Sequence, residues 1–204
     1  ATSSDSLVLT ATAGSDAPPG NYNVSVSQLA QAQNLLAGGQ ASTAAAIGSG
    51  APTTLTFAFG TITGSFNSGT GSYASGATFA PNADKTVLSV TIDAKNNTLA
   101  GIRDAINAAN AGVTASIIND GGGSPYRLAI ASNDTGAANS LKITASGDAA
   151  IGSLLAYDAT ATQNLKQSQI AQNAAISIDG VNITSASNAV ADALPGVTLN
   201  LAKP

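Results

Sequence analysis

A chain of 204 residues, 44% of them apolar and only 9% charged, is long enough for one or two domains with a real core. With no His, Cys, Met or Trp it lacks the material for Ser-His-Asp or Cys-His catalysis, for a disulfide, and for the usual nitrogen- or sulfur-ligated zinc centre. Seven basic residues against eleven acidic ones, all of them Asp, give a net charge of −4 and argue against nucleic acid or an anionic membrane surface as a partner.

Leu7, Leu9 and Ala11 alternate with polar or small neighbours, which predicts a half-buried strand that ends at Pro18-Pro19-Gly20. Tyr22, Val24 and Val26 share one face of a second strand. Gln28 to Leu36 fits a short helix capped by Ser27 about as well as it fits a strand. Residues 37 to 52 are mostly Gly, Ala, Ser and Thr, read as a low-complexity connection, and a domain boundary is placed there. Leu55, Phe57 and Phe59 alternate in a strand, whereas Gly64 to Pro81, with scattered aromatics, reads as a long mobile hairpin loop.

The middle is the most regular stretch. Leu88, Val90 and Ile92 predict a strand, Thr98 stands as an N-cap, and Leu99, Ile102, Ile106 and Ala109 recur at helical spacing. The polar side of that helix carries Arg103, Asp104 and Asn107 as a solvated face, and Gly112 is read as its C-cap. Strands follow over Val113 to Ile118, Tyr126 to Ile130 and around Leu141 and Ile143. Ile151, Leu154 and Leu155 suggest a short helix, and Thr160 to Asn173 a return connection. Asp179-Gly180 between two alternating runs is a strong hairpin signal. Asn188 is read as capping a turn through Ala193, and Val197, Leu199 and Leu201 as a last strand after Pro195-Gly196. The expected class is mainly β with a few short helices. Strands near both ends around a self-contained middle imply one domain inserted into another: residues 1–38 and 168–204 around Leu9, Val24, Val26, Ile176, Ile178, Ile183, Val197 and Leu199, with 39–167 as the insert.

Candidate chemistry is thin. Asp16, Asp120, Asp134, Asp148 and Asp179 sit in predicted turns, where a carboxylate bonds local backbone, and no pair has glycosidase-like spacing. The Asn119-Asp120 and Asn133-Asp134 pairs lack the spacing of a calcium loop, and the Gly-rich runs lack the context of a phosphate loop. No catalytic residue, no cofactor-binding residue and no metal ligand is assigned, and no cofactor is expected. The missing Met suggests a processed chain or an excised piece, and zero cysteine fits export.

Three segments carry a family resemblance. Gly20 to Gln33 resembles the entry segment of the bacterial flagellar filament cap family, the hook-associated protein 2 family. Thr98 to Asp120 followed by Tyr126-Arg127-Leu128 looks like the flagellin-type IN motif, within a unit of about 87–146. Ala175 to Thr184, Ser187-Asn188 and Leu194 to Leu199 are similar to the return segment of the cap family. The resemblance implies a head fragment without the family's helical legs, in which 1–38 with 168–204 is the inner domain and 39–167 the outer. It also implies a non-enzymatic, secreted homo-oligomer at the distal tip of the flagellum, where it promotes flagellin insertion and retains monomers. Its implied partners are flagellin subunits and itself, with host mucus or cell surfaces as a side activity. The alternatives are the variable outer domain of a flagellin, or a secreted adhesin or glycan-binding module.

Overall fold

Strands carry the chain, in the order β1 (Leu9–Ala13), β2 (Val24–Gln28), β3 (Asn34–Leu36), β4 (Thr53–Thr63), β5 (Phe66–Asn67), β6 (Ser72–Tyr73), β7 (Thr78–Pro81) and β8 (Leu88–Ile92). Helix α1 (Leu99–Ala108), β9 (Val113–Asn119), β10 (Tyr126–Ser132), β11 (Ser140–Ser146) and helix α2 (Ala149–Leu155) come next. The chain closes with β12 (Lys166–Gln169), β13 (Ala174–Ile178), β14 (Val181–Ser185), β15 (Ala189–Leu194) and β16 (Val197–Leu201). The computed structural model describes residues 1–204, which fall into two units. Unit 1 comprises Ala1–Gln31, Thr135–Ala137 and Ala171–Pro204; unit 2 comprises Ala32–Asp134 and Ala138–Ile170.

Unit 1 is built from two antiparallel three-stranded sheets, β1-β16-β15 and β14-β13-β2. Alternation dictates what each buries. Leu9 and Leu199, with Leu201, point inward from the first sheet, and Val26, Ile176 and Ile178 from the second. Val24, Ile183 and Val197 pack at the margin, so all eight residues expected to form this core belong to it or lie against it. Asp179 (φ 49°) and Gly180 (φ 87°) both adopt the left-handed conformation that a type I′ hairpin between β13 and β14 requires. Residues 189 to 193, read as a capped turn, are instead strand β15, with Val190 buried and paired to Leu199. A single inward apolar residue was too little signal for a strand there. The segment Thr135–Ala137 belongs to unit 1 through three hydrogen bonds. Thr135 Oγ1 donates to the Ala186 carbonyl (2.6 Å), Gly136 N to the Gln31 carbonyl (3.1 Å) and Ala137 N to Asn173 Oδ1 (2.8 Å).

Unit 2 centres on β4, whose inward residues Leu55, Phe57 and Phe59 are almost wholly buried. One edge of β4 pairs with β11 from Thr54 to Gly60. The other is shared, with β8 along Thr53 to Phe57 and β7 along Gly60 to Thr63. A second sheet runs β12-β3-β10-β9. Helix α1 packs its Leu99, Ile102 and Ile106 face, each fully buried, against β8 and β9. Thr98 caps its start by accepting from Gly101 N at 3.0 Å.

Several expectations for unit 2 give way. No helix forms before Leu36: Gln33, Leu35 and Ala37 are buried at every second position, and β3 lies between β10 and β12, so pairing overrides helical spacing. The segment 37–52 is not loose, since Ala37 N donates to Leu128 O (2.8 Å) and Ile47 N to Asn97 O (2.7 Å). The stretch after Gly64 is organised, with a small β5-β6 hairpin whose Phe66 and Tyr73 rings lie 5.2 Å apart. Gly112 does not cap α1: the helix stops at Ala108, and Asn110 takes the left-handed turn (φ 49°). The return connection contains β12.

Gly180 isolates conformation from packing, because a Cβ there would meet nothing within 4 Å. Replacing Gly180 with Val should therefore lower stability by about 1–2 kcal/mol, the cost of holding a branched residue at positive φ. An unchanged midpoint of chemical denaturation would show that the hairpin turn has relaxed to another type.

Candidate functional site

Helix α1 is fastened to its flanking strands by a side chain as well as by its apolar face. Ile106 is fully buried, while its neighbour Asn107 lies on the exposed side, as expected, yet its carboxamide is engaged with main chain. Its Nδ2 donates to the Ala115 carbonyl at 2.9 Å and its Oδ1 accepts from Ala115 N at 2.8 Å. The carboxamide thereby pairs with β9 as one more strand residue would, and pins the helix to the sheet edge. Sequence periodicity assigned Asn107 to the polar face but carried no sign of this two-point contact. Arg103 and Asp104 pair with each other on the exposed side, at 2.7 Å.

The same device recurs. In unit 2, Gln163 clasps Tyr73, accepting from its N (2.7 Å) and donating to its carbonyl (3.0 Å), which anchors the β5-β6 hairpin. In unit 1, Asn188 clasps Ala30, with Ala30 N donating to Oδ1 (2.7 Å) and Nδ2 donating to Ala30 O (3.0 Å). Inside unit 2, Gln33 and Gln167 are buried side by side: Gln33 Nε2 donates to Gln167 Oε1, Gln33 Oε1 accepts from Leu141 N (2.5 Å), and the Tyr157 hydroxyl donates to Gln167 Oε1 at 2.7 Å. Burial pushes the Tyr157 hydroxyl far above the usual phenol range, so it remains a neutral donor.

Each of the five turn carboxylates has a partner. Asp179 Oδ1 accepts from Asn23 N at 2.9 Å, and Asp16 from the Ser15 hydroxyl at 3.0 Å. Asp134 pairs with Lys85, and Asp120 with Arg127 at 2.5 Å. Asp148 caps α2 by accepting from Ala150 N (2.8 Å), and its other oxygen accepts from both the hydroxyl and the N–H of Ser49 at 2.6 Å. Turn propensity located these residues and their neighbouring partners at Ser15, Gly122 and Ala150, but only the fold supplies the distant ones, Asn23, Lys85 and Ser49. Hydrogen bonds hold two of these carboxyls below their ordinary range: Arg127 and Gly122 N act on Asp120, and Ser49 and Ala150 N on Asp148. Burial raises the Asp158 carboxyl, but the bonds from Lys142 and Thr160 outweigh it and the net shift is downward. No group of three or more Asp, Glu, His or Cys side chains converges as a metal site would. No helix is long and apolar enough to cross a membrane. What this arrangement can do chemically is hold main chain in place.

The ends of the chain match the family described as flagellar hook-associated protein 2 N-terminus (residues 1–33) and C-terminus (residues 171–204), and residues 54–134 match the flagellin hook IN motif. Flagellar hook-associated protein 2 of Escherichia coli (strain K12) is 41% identical over 192 residues, covering 94% of this chain and 36% of its own length. The chain thus spans about a third of the length of the curated relatives that it matches over most of its own length. Among solved structures, the D2-D3 domains of the flagellar cap protein FliD from E. coli superpose with a TM-score of 0.79 at 38% identity, over 95% of this chain and 88% of that one. The corresponding Serratia marcescens domains give 0.78 at 31% identity, over 96% and 93%.

Two measurements probe the fastening. Asn107→Ala removes two hydrogen bonds worth about 1 kcal/mol each and regains about 0.6 kcal/mol of helix propensity, so a net loss of about 1–2 kcal/mol is expected in urea unfolding. The lowered carboxyls give stability that is present above the ordinary Asp pKa of 3.8 and lost as pH falls through their folded values. The urea midpoint should therefore be level from about pH 7 to 5 and fall below about pH 4, with a shallower acid limb in Asp148→Asn. An unchanged limb in that variant would remove Asp148 from the account.

Proposed function

The chain belongs to the flagellar hook-associated protein 2 family, and from that premise we propose that it is the head of a filament cap protein, acting in assembly rather than catalysis. In this reading the intact protein sits outside the cell at the distal end of the flagellum, favours the insertion of arriving flagellin subunits and prevents their loss. Its partners are flagellin and further copies of itself. The observation that carries the reading is the order of the three matches: hook-associated protein 2 segments at both ends, flanking the IN motif. A flagellin outer domain would share the middle match but not the flanking ones.

The two end matches fall on the two long segments of unit 1, and the IN match lies within unit 2. This supports unit 1 as the inner head domain, entered and left by the chain, and unit 2 as the insert carried by it. The side chains support a scaffold role, because the five turn carboxylates and the carboxamides of Asn107, Gln163 and Asn188 are engaged with main chain, hydroxyls or basic partners. Ring assembly in the intact protein is assigned to parts beyond this chain, with head contacts assisted by the high effective concentration that assembly provides.

Deleting the gene should leave cells with short or missing filaments and flagellin monomers in the medium; normal filament growth would overturn the capping reading. The chain alone should scatter light as a monomer at micromolar concentration. A stable ring under those conditions would place the assembly energy in the heads.

A further inference from the structure

We propose that the free edge of β14 is a docking site for an extended peptide strand that carries a basic residue. Of the four outer strands of unit 1, β15 and β2 pair through register shifts, between Val190 and Leu194 and between Ala175 and Ile176, which blunt an edge. Strands β1 and β14 do not, and of these two only β14 borders a groove that also holds an exposed carboxylate without an ion-pair partner. Strand β14 has none of the usual guards: its five residues Val181 to Ser185 pair in unbroken register with β13 and include no charge and no proline. Its hairpin register also says where its main-chain groups point. In a two-residue hairpin the pair next to the turn, Ile178 with Val181, exchanges hydrogen bonds, and bonded pairs alternate from there. The N–H and C=O groups of Asn182 and Thr184 therefore face away from β13, toward the open edge, about 7 Å apart along the strand.

That edge borders a groove of about 520 Å³ whose opposite wall is β15. Along the wall stands Asp192, exposed and without an ion-pair partner. Unit 1 as a whole carries four carboxylates, Asp5, Asp16, Asp179 and Asp192, against the single Lys203. An added strand would take two main-chain bonding positions from β14, seat small side chains in the groove, and place a Lys or Arg against Asp192. Main-chain pairing would give the affinity, and the carboxylate the preference for a basic segment over an acidic one.

The test uses the whole 204-residue chain and the peptide acetyl-KTVTVK-amide, titrated while amide shifts are followed by nuclear magnetic resonance. Saturable shifts should gather on Asn182, Thr184 and Ala191 to Ala193, and the acidic counterpart acetyl-ETVTVE-amide should bind about tenfold more weakly or worse. Thr184→Pro removes one outward N–H at a position where an edge strand tolerates proline, and should abolish binding with the circular dichroism spectrum unchanged. Should that variant fail to fold, Val181→Lys, at a side chain 64% exposed, serves instead and should weaken binding of the basic peptide by about threefold or more. Absence of shifts at millimolar peptide, equal binding of both peptides, or an unaffected Val181→Lys variant would overturn the proposal. So would concentration-dependent dimerisation through β14, which would make a second copy the occupant.

Discussion

Unit 1 exists because the first strand of the chain pairs with the last. Leu9 lies opposite Leu201 and Ala13 opposite Val197, and β2 is likewise paired with β13, so each sheet joins residues from near the N-terminus to residues more than a hundred positions later. Neither end segment can bury a face alone, since a short strand exposes half of its side chains and all of its main-chain groups until a partner arrives. The inward Leu, Val and Ile residues on both sides supply the apolar contact that makes this closure favourable. Joining the ends across so long a loop is entropically unfavourable and slow, whereas the hairpin β13-β14 and the α1-β9 pair close over a few residues. Local elements such as these are therefore placed to form ahead of the pairing of β1 with β16 and of β2 with β13.

Composition and architecture meet in the carboxamides. A chain with no disulfide and few charges has little to fasten irregular segments with, yet Asn107, Gln163 and Asn188 each clasp both main-chain groups of one residue. A carboxamide offers one donor and one acceptor at peptide-like spacing, so it completes a ladder where no strand is available. The abundance of Asn and Gln, which in a sequence suggests loops, is here part of the fastening.

Legibility followed the range of the interaction. The helix at Thr98, the Asp179-Gly180 hairpin and the strands around Leu55, Val90, Leu141 and Ile176 were readable because their period, cap or turn is local. Strand β15 was not, because Val190 is its one buried apolar residue although its partner β16 is adjacent, and β3 was not, because the three residues around Leu35 owe their form to β10 and β12 far along the chain. The stretch after Gly64 was misread for a related reason: its hairpin is held by Gln163, ninety positions away. Of the surface now singled out, the hairpin that produces the β14 edge was legible. The groove beside it was not, since it depends on β15.

The buried pair Gln33 and Gln167 bears on something other than stability. Cores made of Leu, Ile, Val and Ala tolerate exchange, and such side chains discriminate poorly between neighbouring alignments of two strands. On β12, Gln167 is inside while Lys166 and Ser168 are outside. A slip of one residue would bury Lys166 or Ser168 and strand the Gln33 carboxamide and the Tyr157 hydroxyl without their acceptor. Each unsatisfied buried group is penalised by about 1–3 kcal/mol, a large fraction of what separates a folded domain from its competitors. The polar cluster thus acts as a proofreading mark in an otherwise permissive interior, making misaligned forms of the sheet improbable rather than making the correct one tighter.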